Sequence, residues 1–281
     1  MDLLLWQLAD SAFPAGGFAH SAGLEAAMQH REVTCRDDLE AFTCAVIRQA
    51  GYSALPLVTA AHANPRGLVE LDALCDAFLS NPVANRASRT QGRACLTACA
   101  RSFPGRARSS NHGYRAGFRL QAPDYRPGHA NTAGCQPPAA GSVARLGLKS
   151  EARSPKPIGE PGPYGFVVAI EALHHRVDRA ELRGHYAPLF GAALSALGVD
   201  RRSTQQLFLF LTGRTVTSAA VRLGLVGTYE AQQVQAAMAT EIDRTIERCA
   251  DLRPCEIAHT APLIDLFQST HDRLYSRLFQ S

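Results

Sequence analysis

Apolar residues recur at helical spacing along most of the chain. Leu68, Leu71, Leu74, Cys75 and Phe78 fall at i, i+3 and i+4 intervals, the pattern of an amphipathic helix. Phe42, Val46 and Ile47 do the same after Asp37-Asp38, two acids placed where the helix dipole favours them. A further segment over Tyr52 to His62 ends at Asn64-Pro65. Asn81-Pro82 restarts the chain with a proline in the first turn, predicting a helix to about Arg101. The stretch HYAPLFGAALSALG, 185–198, is rich in small residues that let neighbours approach, so it is expected at the centre of a bundle. Ser203 to Leu225 reads as a long helix with a Phe/Leu stripe. Thr228 reads as the N-cap of a helix over 229–250, with Glu230 in its first turn. Pro262 opens a last helix carrying Leu263, Leu266, Phe267 and Leu274. No run of strand length alternates in polarity, and no repeat with a period of roughly 20 to 50 residues is evident. The pattern predicts an all-α fold, a single helical bundle domain of about eight to ten helices.

The helical period stops between residues 103 and 163. That stretch holds 9 of the 16 prolines, 9 of the 22 glycines and both lysines of the chain, Lys149 and Lys156. Its seven arginines, two lysines and three acids give a net charge of +6, against +4 for the whole chain. The basic pI therefore comes from this segment and not from a nucleic-acid-binding face on the helical part. A segment so poor in apolar periodicity buries too little surface to offset its chain entropy. It reads as an irregular, disordered insertion. A basic arm for an anionic partner and a translation from a shifted frame or an intron are the other readings. The expected organisation is residues 1–102 and 164–281 as two parts of one helical domain, with 103–163 inserted between them.

Composition supports the helical reading. Hydrophobic residues make up 46% and charged residues 19%, below the usual quarter or so, and the abundant Ala and Leu are good helix formers. Asp2 and the short run Leu3 to Leu5 do not make a signal peptide, and no apolar run reaches the roughly 18 residues that a membrane helix needs. These features predict a soluble cytoplasmic protein. In that compartment the eight cysteines are expected as reduced thiols. Cys95 and Cys99, at i and i+4, share a helix face, but no second ligand pair stands out to complete a zinc site.

The stretch DSAFPAGGFAHSAGLE, residues 10–25, asks for a chemical reading. Around Ser21, Ala19 to Gly23 is one residue off the G-x-S-x-G nucleophile elbow, and His259 and His271 follow downstream as triad order requires. The elbow works because a strand delivers the serine onto a strained turn, and here Phe13 to Gly17 precedes it instead. A phosphate loop needs G-x-x-x-x-G-K-[ST], and no lysine is near. What remains is a Pro/Gly joint before a helix with a tightly packed small face, Ser21 or Asp10 as a cap and Glu25 solvated.

The same stretch resembles the N-terminal signature of the urease accessory protein UreF family, P-x-G-[GS]-[FY]-[SAT]-[HY]-S-x-G-L-E. Further resemblances follow in order. SNPVANRASRTQGRACL, 80–96, is similar to that family's helix ending in G-R-x-L. HYAPLFGAALSALG is similar to its H-x-x-x-x-G helix, TSAAVRLGLVGTYEAQ, 217–232, to its A-x-V-R-L segment, and HDRLYSRLFQS to its R-L-F tail. The resemblance covers about 1–102 and 171–281.

What it implies is a non-catalytic, all-helical, dimeric scaffold. Such a scaffold bridges the nickel-carrying GTPase UreG and UreD, also called UreH, and delivers nickel to apo-urease. It modulates the GTPase and passes nickel along an internal route. No resident cofactor, nucleic acid or membrane enters this picture. On the matching positions, Gly16, Gly17, His20, Ser21, Gly23 and Glu25 would shape a surface facing UreD or the route between subunits, unless they only build a helix joint. His20 would touch nickel in passing or serve as a structural hydrogen-bond donor. Arg222 and Gly227 would dock the GTPase. Arg277, Leu278 and Phe279 would form a terminal segment that orders on a partner, or pack into the core. His185 and Gly191 read as structural. The competing classes are a serine hydrolase using Ser21 and a helical nucleic-acid-binding protein using the basic insertion.

Overall fold

Helix α8 (Tyr186–Ala196) is the axis of the protein: every residue from Tyr186 to Leu194 is buried. It carries no charged residue, and helices that are apolar all round are surrounded by others. Here the neighbours are α4 (Leu55–Ala63), α5 (Leu68–Phe78), α6 (Pro82–Ser102), α7 (Gly165–Asp178) and α9 (Arg201–Arg222). The computed structural model describes residues 3–103 and 165–281. Among them are eleven α-helices and no strand, an all-α fold with one helix more than the eight to ten expected. The remaining helices are α1 (Leu3–Ala9), α2 (Leu24–Gln29), α3 (Arg36–Ser53), α10 (Thr228–Cys249) and α11 (Pro262–Thr270). Apart from Phe103, the predicted irregular insertion lies outside the described residues.

Two apolar clusters hold the helices. The larger one surrounds α8, where the rings of Tyr186, Phe190 and Phe208 stand 5.4–5.7 Å apart. The smaller gathers Leu24, Leu39, Val46, Val216, Val234, Ile264 and Phe279 from α2, α3, α9, α10, α11 and the C-terminal segment. Close approach depends on missing side chains. A Cβ on Gly92 would lie 2.8 Å from the His185 carbonyl carbon, which is why α6 and the start of α8 touch backbone to backbone.

Several boundaries differ from the sequence reading, each for a local reason. Tyr52 belongs to α3, and the chain breaks only at Ala54. Helix α9 stops at Arg222 because Gly224 turns into the left-handed region at φ 72°. Gly227, not Thr228, is the N-cap of α10, and Glu230 accepts its N–H at 2.8 Å. Leu274 lies beyond α11, after a short 3-10 turn at His271–Arg273. Asn81 and Asp200 cap α6 and α9 by accepting N–H groups of Val83 and Ser203 at 2.9 Å.

Candidate functional site

The structure brings the opening stretch, Arg222 and the C-terminal tail to one place. The opening stretch enters as a joint: Gly16 and Gly17 wedge between α6 and α9, beside Ala94, Gln91 and Thr215. A 3-10 turn at Gly17–Ala19 follows, and Gly23 turns at φ 86° into α2 with Phe267 and Gln268 of α11 against it. The C-terminal residues return to this joint. Gln280 N–H donates to the Ala19 carbonyl at 2.9 Å, and Ser21 N–H donates to the Ser281 main-chain oxygen at 2.6 Å. Ser21 Oγ donates to the same oxygen at 3.2 Å, and His20 Nδ1 lies 2.5 Å from Ser281 Oγ.

Glu25 is the clamp of this arrangement. Expected as a solvated residue, it is instead 4% exposed. One carboxylate oxygen accepts Leu278 N–H at 2.6 Å; the other takes Phe279 N–H at 3.2 Å and lies 3.0 Å from His271 Nε2. A buried carboxylate is tolerable only when so satisfied. Burial, not solvation, follows from the tail arriving with two backbone donors.

Arg222 is likewise no free cation. Its guanidinium lies 4.3 Å from the ring centroids of both Phe18 and Phe279 and donates to the Phe18 carbonyl at 2.5 Å. Arg277 reaches Asp272, which also binds Arg86. The result is a surface groove of about 520 Å³ lined by Glu25, Met28, Arg222, Arg277 and Leu278 among others. Phe18 at 65% and Leu278 at 53% exposure stand on the same assembly, large apolar side chains on a rigid base. Gly227, at the start of α10, is exposed and takes no part in these contacts.

Ser21 cannot act as a hydrolase nucleophile. It is fully buried, its hydroxyl is committed to Ser281, and a 3-10 turn rather than a strand precedes it. No helix among the described residues is long and apolar enough to cross a membrane.

Behind the joint lies a cavity of about 220 Å³, lined by His20, Cys75, Tyr186, Thr212, Gln268 and Ser281 among others. His20 Nε2 and the Tyr186 hydroxyl are buried without a hydrogen-bond partner. Burial, with His271 nearby adding to it, lowers the His20 pKa from 6.5. Burial pushes the Cys75 thiol up to about 12. The imidazole is therefore neutral at neutral pH, and the thiol keeps its proton. Among the described residues no three His, Cys, Asp or Glu side chains are placed to hold a metal ion. Cys95 and Cys99 are buried, and the hydrogen bond between them together with burial keeps Cys95 protonated.

The depressed His20 pKa has a consequence for stability. In the unfolded chain the imidazole takes up a proton near pH 6.5, and in the folded chain only at lower pH. Stability therefore falls as pH drops from about 6.5 toward the folded value. Denaturant unfolding above and below that window is expected to show the loss, and His20→Asn to make it shallower. An unchanged slope would mean that the imidazole does not carry it.

His185, read as structural, sits in a second constellation, while Gly191 packs against the Val58 backbone of α4. Asp72 accepts the N–H groups of Arg183, Gly184 and His185, capping α8 from α5. His185 Nε2 lies 3.0 Å from Asp76 Oδ1, and its Nδ1 lies 3.2 Å from Ser88 Oγ. Burial lowers the His185 pKa despite Asp76. A hydrogen bond from Asn85 leads the causes that hold Asp76 below its ordinary value. Ser88 Oγ also accepts Tyr186 N–H at 3.2 Å, so the relay fastens α8 to α5 and α6. Sequence reading singled out neither Asp72 nor Phe18. The one signal for Asp72 was its place one turn before Asp76 on a helix whose only other charged residue is Glu70.

Comparison with known proteins agrees with the motifs. The UreF family model matches residues 33–154 and 155–239. Urease accessory protein F of Oryza sativa subsp. indica is 31% identical over 276 residues, covering 98% of this chain and 83% of the rice protein. Urease accessory protein F of Arabidopsis thaliana is 31% identical over 278 residues, 98% of this chain and 91% of its own. Urease accessory protein UreF of Mycobacterium sp. (strain JLS) is 37% identical over 101 residues, 36% of this chain and 48% of its own.

Proposed function

The chain belongs to the UreF family, accessory proteins of urease maturation that are not catalysts, and from that premise we propose that it is a dimeric cytoplasmic scaffold. It bridges the nickel-carrying GTPase UreG and UreD, presents nickel to apo-urease and modulates the GTPase. The observation that carries this reading is the convergence of the first motif, the A-V-R segment and the tail on one groove. Exposed Phe18 and Leu278 stand on an anchored base there. Exposed aromatic and aliphatic side chains held rigidly are what a partner's pocket reads at low entropic cost.

Nickel is cargo in this reading. The neutral His20 imidazole, whose Nε2 is buried at the cavity without a hydrogen-bond partner, offers one contact of borderline softness along an internal path in the tautomer that places the proton on Nδ1, and a single ligand suits passage better than storage. Co-purification of UreD and UreG with the tagged chain tests the scaffold reading, with Phe18→Asp/Leu278→Asp as the variant that removes the apolar contacts without touching Glu25.

A further inference from the structure

Helix α6 carries a ladder of arginines, which line a groove with other residues than the tail groove has. Arg86, Arg89 and Arg93 fall at i, i+3 and i+7, so they lie along one face over about 10 Å. With Asn85, Thr90, Leu79 and Pro82 they line an open groove of about 700 Å³. Arg183, from the loop before α8, stands beside them. Arg89 Nε and Arg93 donate to its carbonyl at 3.3 and 3.4 Å, which fixes where both guanidiniums sit.

The acids nearby are committed elsewhere. Asp72 is occupied by three backbone N–H groups, and Asp76 by Asn85, His185 and Arg183. Asp272 binds Arg86 and Arg277. Among the described residues, Arg89 and Arg93 meet no carboxylate. Two guanidiniums held in place and left without counter-charges are a receptor for anionic groups.

Charge decides what fills the groove. The chain's own 103–163 segment, with seven arginines and two lysines against three acids, would be repelled. A second copy presents the same positive groove, so a symmetric self-contact is disfavoured as well. An elongated, open ladder flanked by the aliphatic surfaces of Leu79 and Pro82 suits an extended chain of carboxylates better than a compact phosphate. We propose that the α6 groove is the docking site for an acidic segment of a protein partner, read by Arg89 and Arg93 with Arg86 and Arg183 at its borders. This assignment does not depend on the tail groove or on nickel transfer.

The test uses the full chain and a labelled oligoglutamate peptide, followed by fluorescence anisotropy. Arg89→Glu/Arg93→Glu is expected to raise Kd at least about tenfold. The control Arg244→Glu/Arg248→Glu makes the same change in net charge at the same i, i+4 spacing on α10, and is expected to leave Kd unchanged. Should charge reversal disturb folding, Arg89→Gln/Arg93→Gln provides the comparison at unchanged melting temperature. Equal losses in both double variants would reduce the effect to net charge and overturn the assignment, as would no loss in either. It is also overturned if inorganic phosphate or a DNA oligonucleotide binds the same arginines more tightly than the peptide does.

Discussion

Replacing Glu25 by alanine is expected to free the C-terminal tail and lower the stability of the protein by roughly 3 kcal/mol. The carboxylate is the common acceptor for Leu278 N–H, Phe279 N–H and His271, all of them buried or half-buried. Removing one partner of a buried polar cluster leaves the others unpaired, and their desolvation is then uncompensated. The chain escapes part of that cost by letting the tail go, because water can then reach the two amides. Release also unstacks Phe279 from Arg222 and takes its buried ring from the smaller apolar cluster. Hydrogen exchange across 277–281 is expected to accelerate strongly, with a melting temperature lower by several degrees. Glu25→Gln should behave nearly as badly. It keeps the shape, but its amide nitrogen must face a donor. A Glu25→Gln protein with wild-type protection in the tail would show that the carboxylate charge and its second acceptor are dispensable.

Gly191→Ala is expected to be as damaging, for a reason of space. An added Cβ would lie 2.9 Å from the Val58 carbonyl carbon and nearer still to its oxygen. These are backbone atoms of α4, so no side chain can swing away; the two central helices must separate. Alanine gains up to about 1 kcal/mol over glycine in a helix interior. Separating packed helices costs more, about 3 kcal/mol where backbone must shift. The net prediction is a melting temperature lowered by several degrees, or an insoluble chain for Gly191→Val. Gly227→Ala provides the contrast: this glycine is exposed, with only the Glu230 carboxylate near, at 3.7 Å. Its replacement should cost about 1 kcal/mol or less, the price of a poorer N-cap. Equal melting temperatures for Gly191→Ala and wild type would refute the close α4–α8 contact.

The two predictions mark what could be read from sequence. The central place of α8 was legible, because Ala192, Ala193 and Gly191 leave no room for a polar face and charged residues are missing from 186–196. So were α5 and α6, whose periods and Asn81-Pro82 start are local signals. Helix α1 was not, because its apolar run is only a few residues long and its helical state is set by packing on α9. The candidate site was legible as residues but not as an arrangement. Glu25 in the first turn of a short helix looks solvated until Leu278 and Phe279 arrive from the far end of the chain. Arg222 looked like a free docking cation because nothing local announces the rings of Phe18 and Phe279. Asp72 acts on a helix start more than a hundred residues away. Such contacts are fixed by tertiary packing, which periodicity does not encode.

The most direct test of the docking account is the affinity of the purified chain for UreD and UreG, measured for wild type and for Phe18→Asp/Leu278→Asp. Both side chains are more than half exposed, but Phe18 also stacks on Arg222, so the melting temperatures are compared first and binding is read on the folded variant. The account predicts a stable complex for wild type and at least about a tenfold loss of affinity for UreD in the variant. Undiminished binding of both partners by a folded Phe18→Asp/Leu278→Asp protein would contradict it.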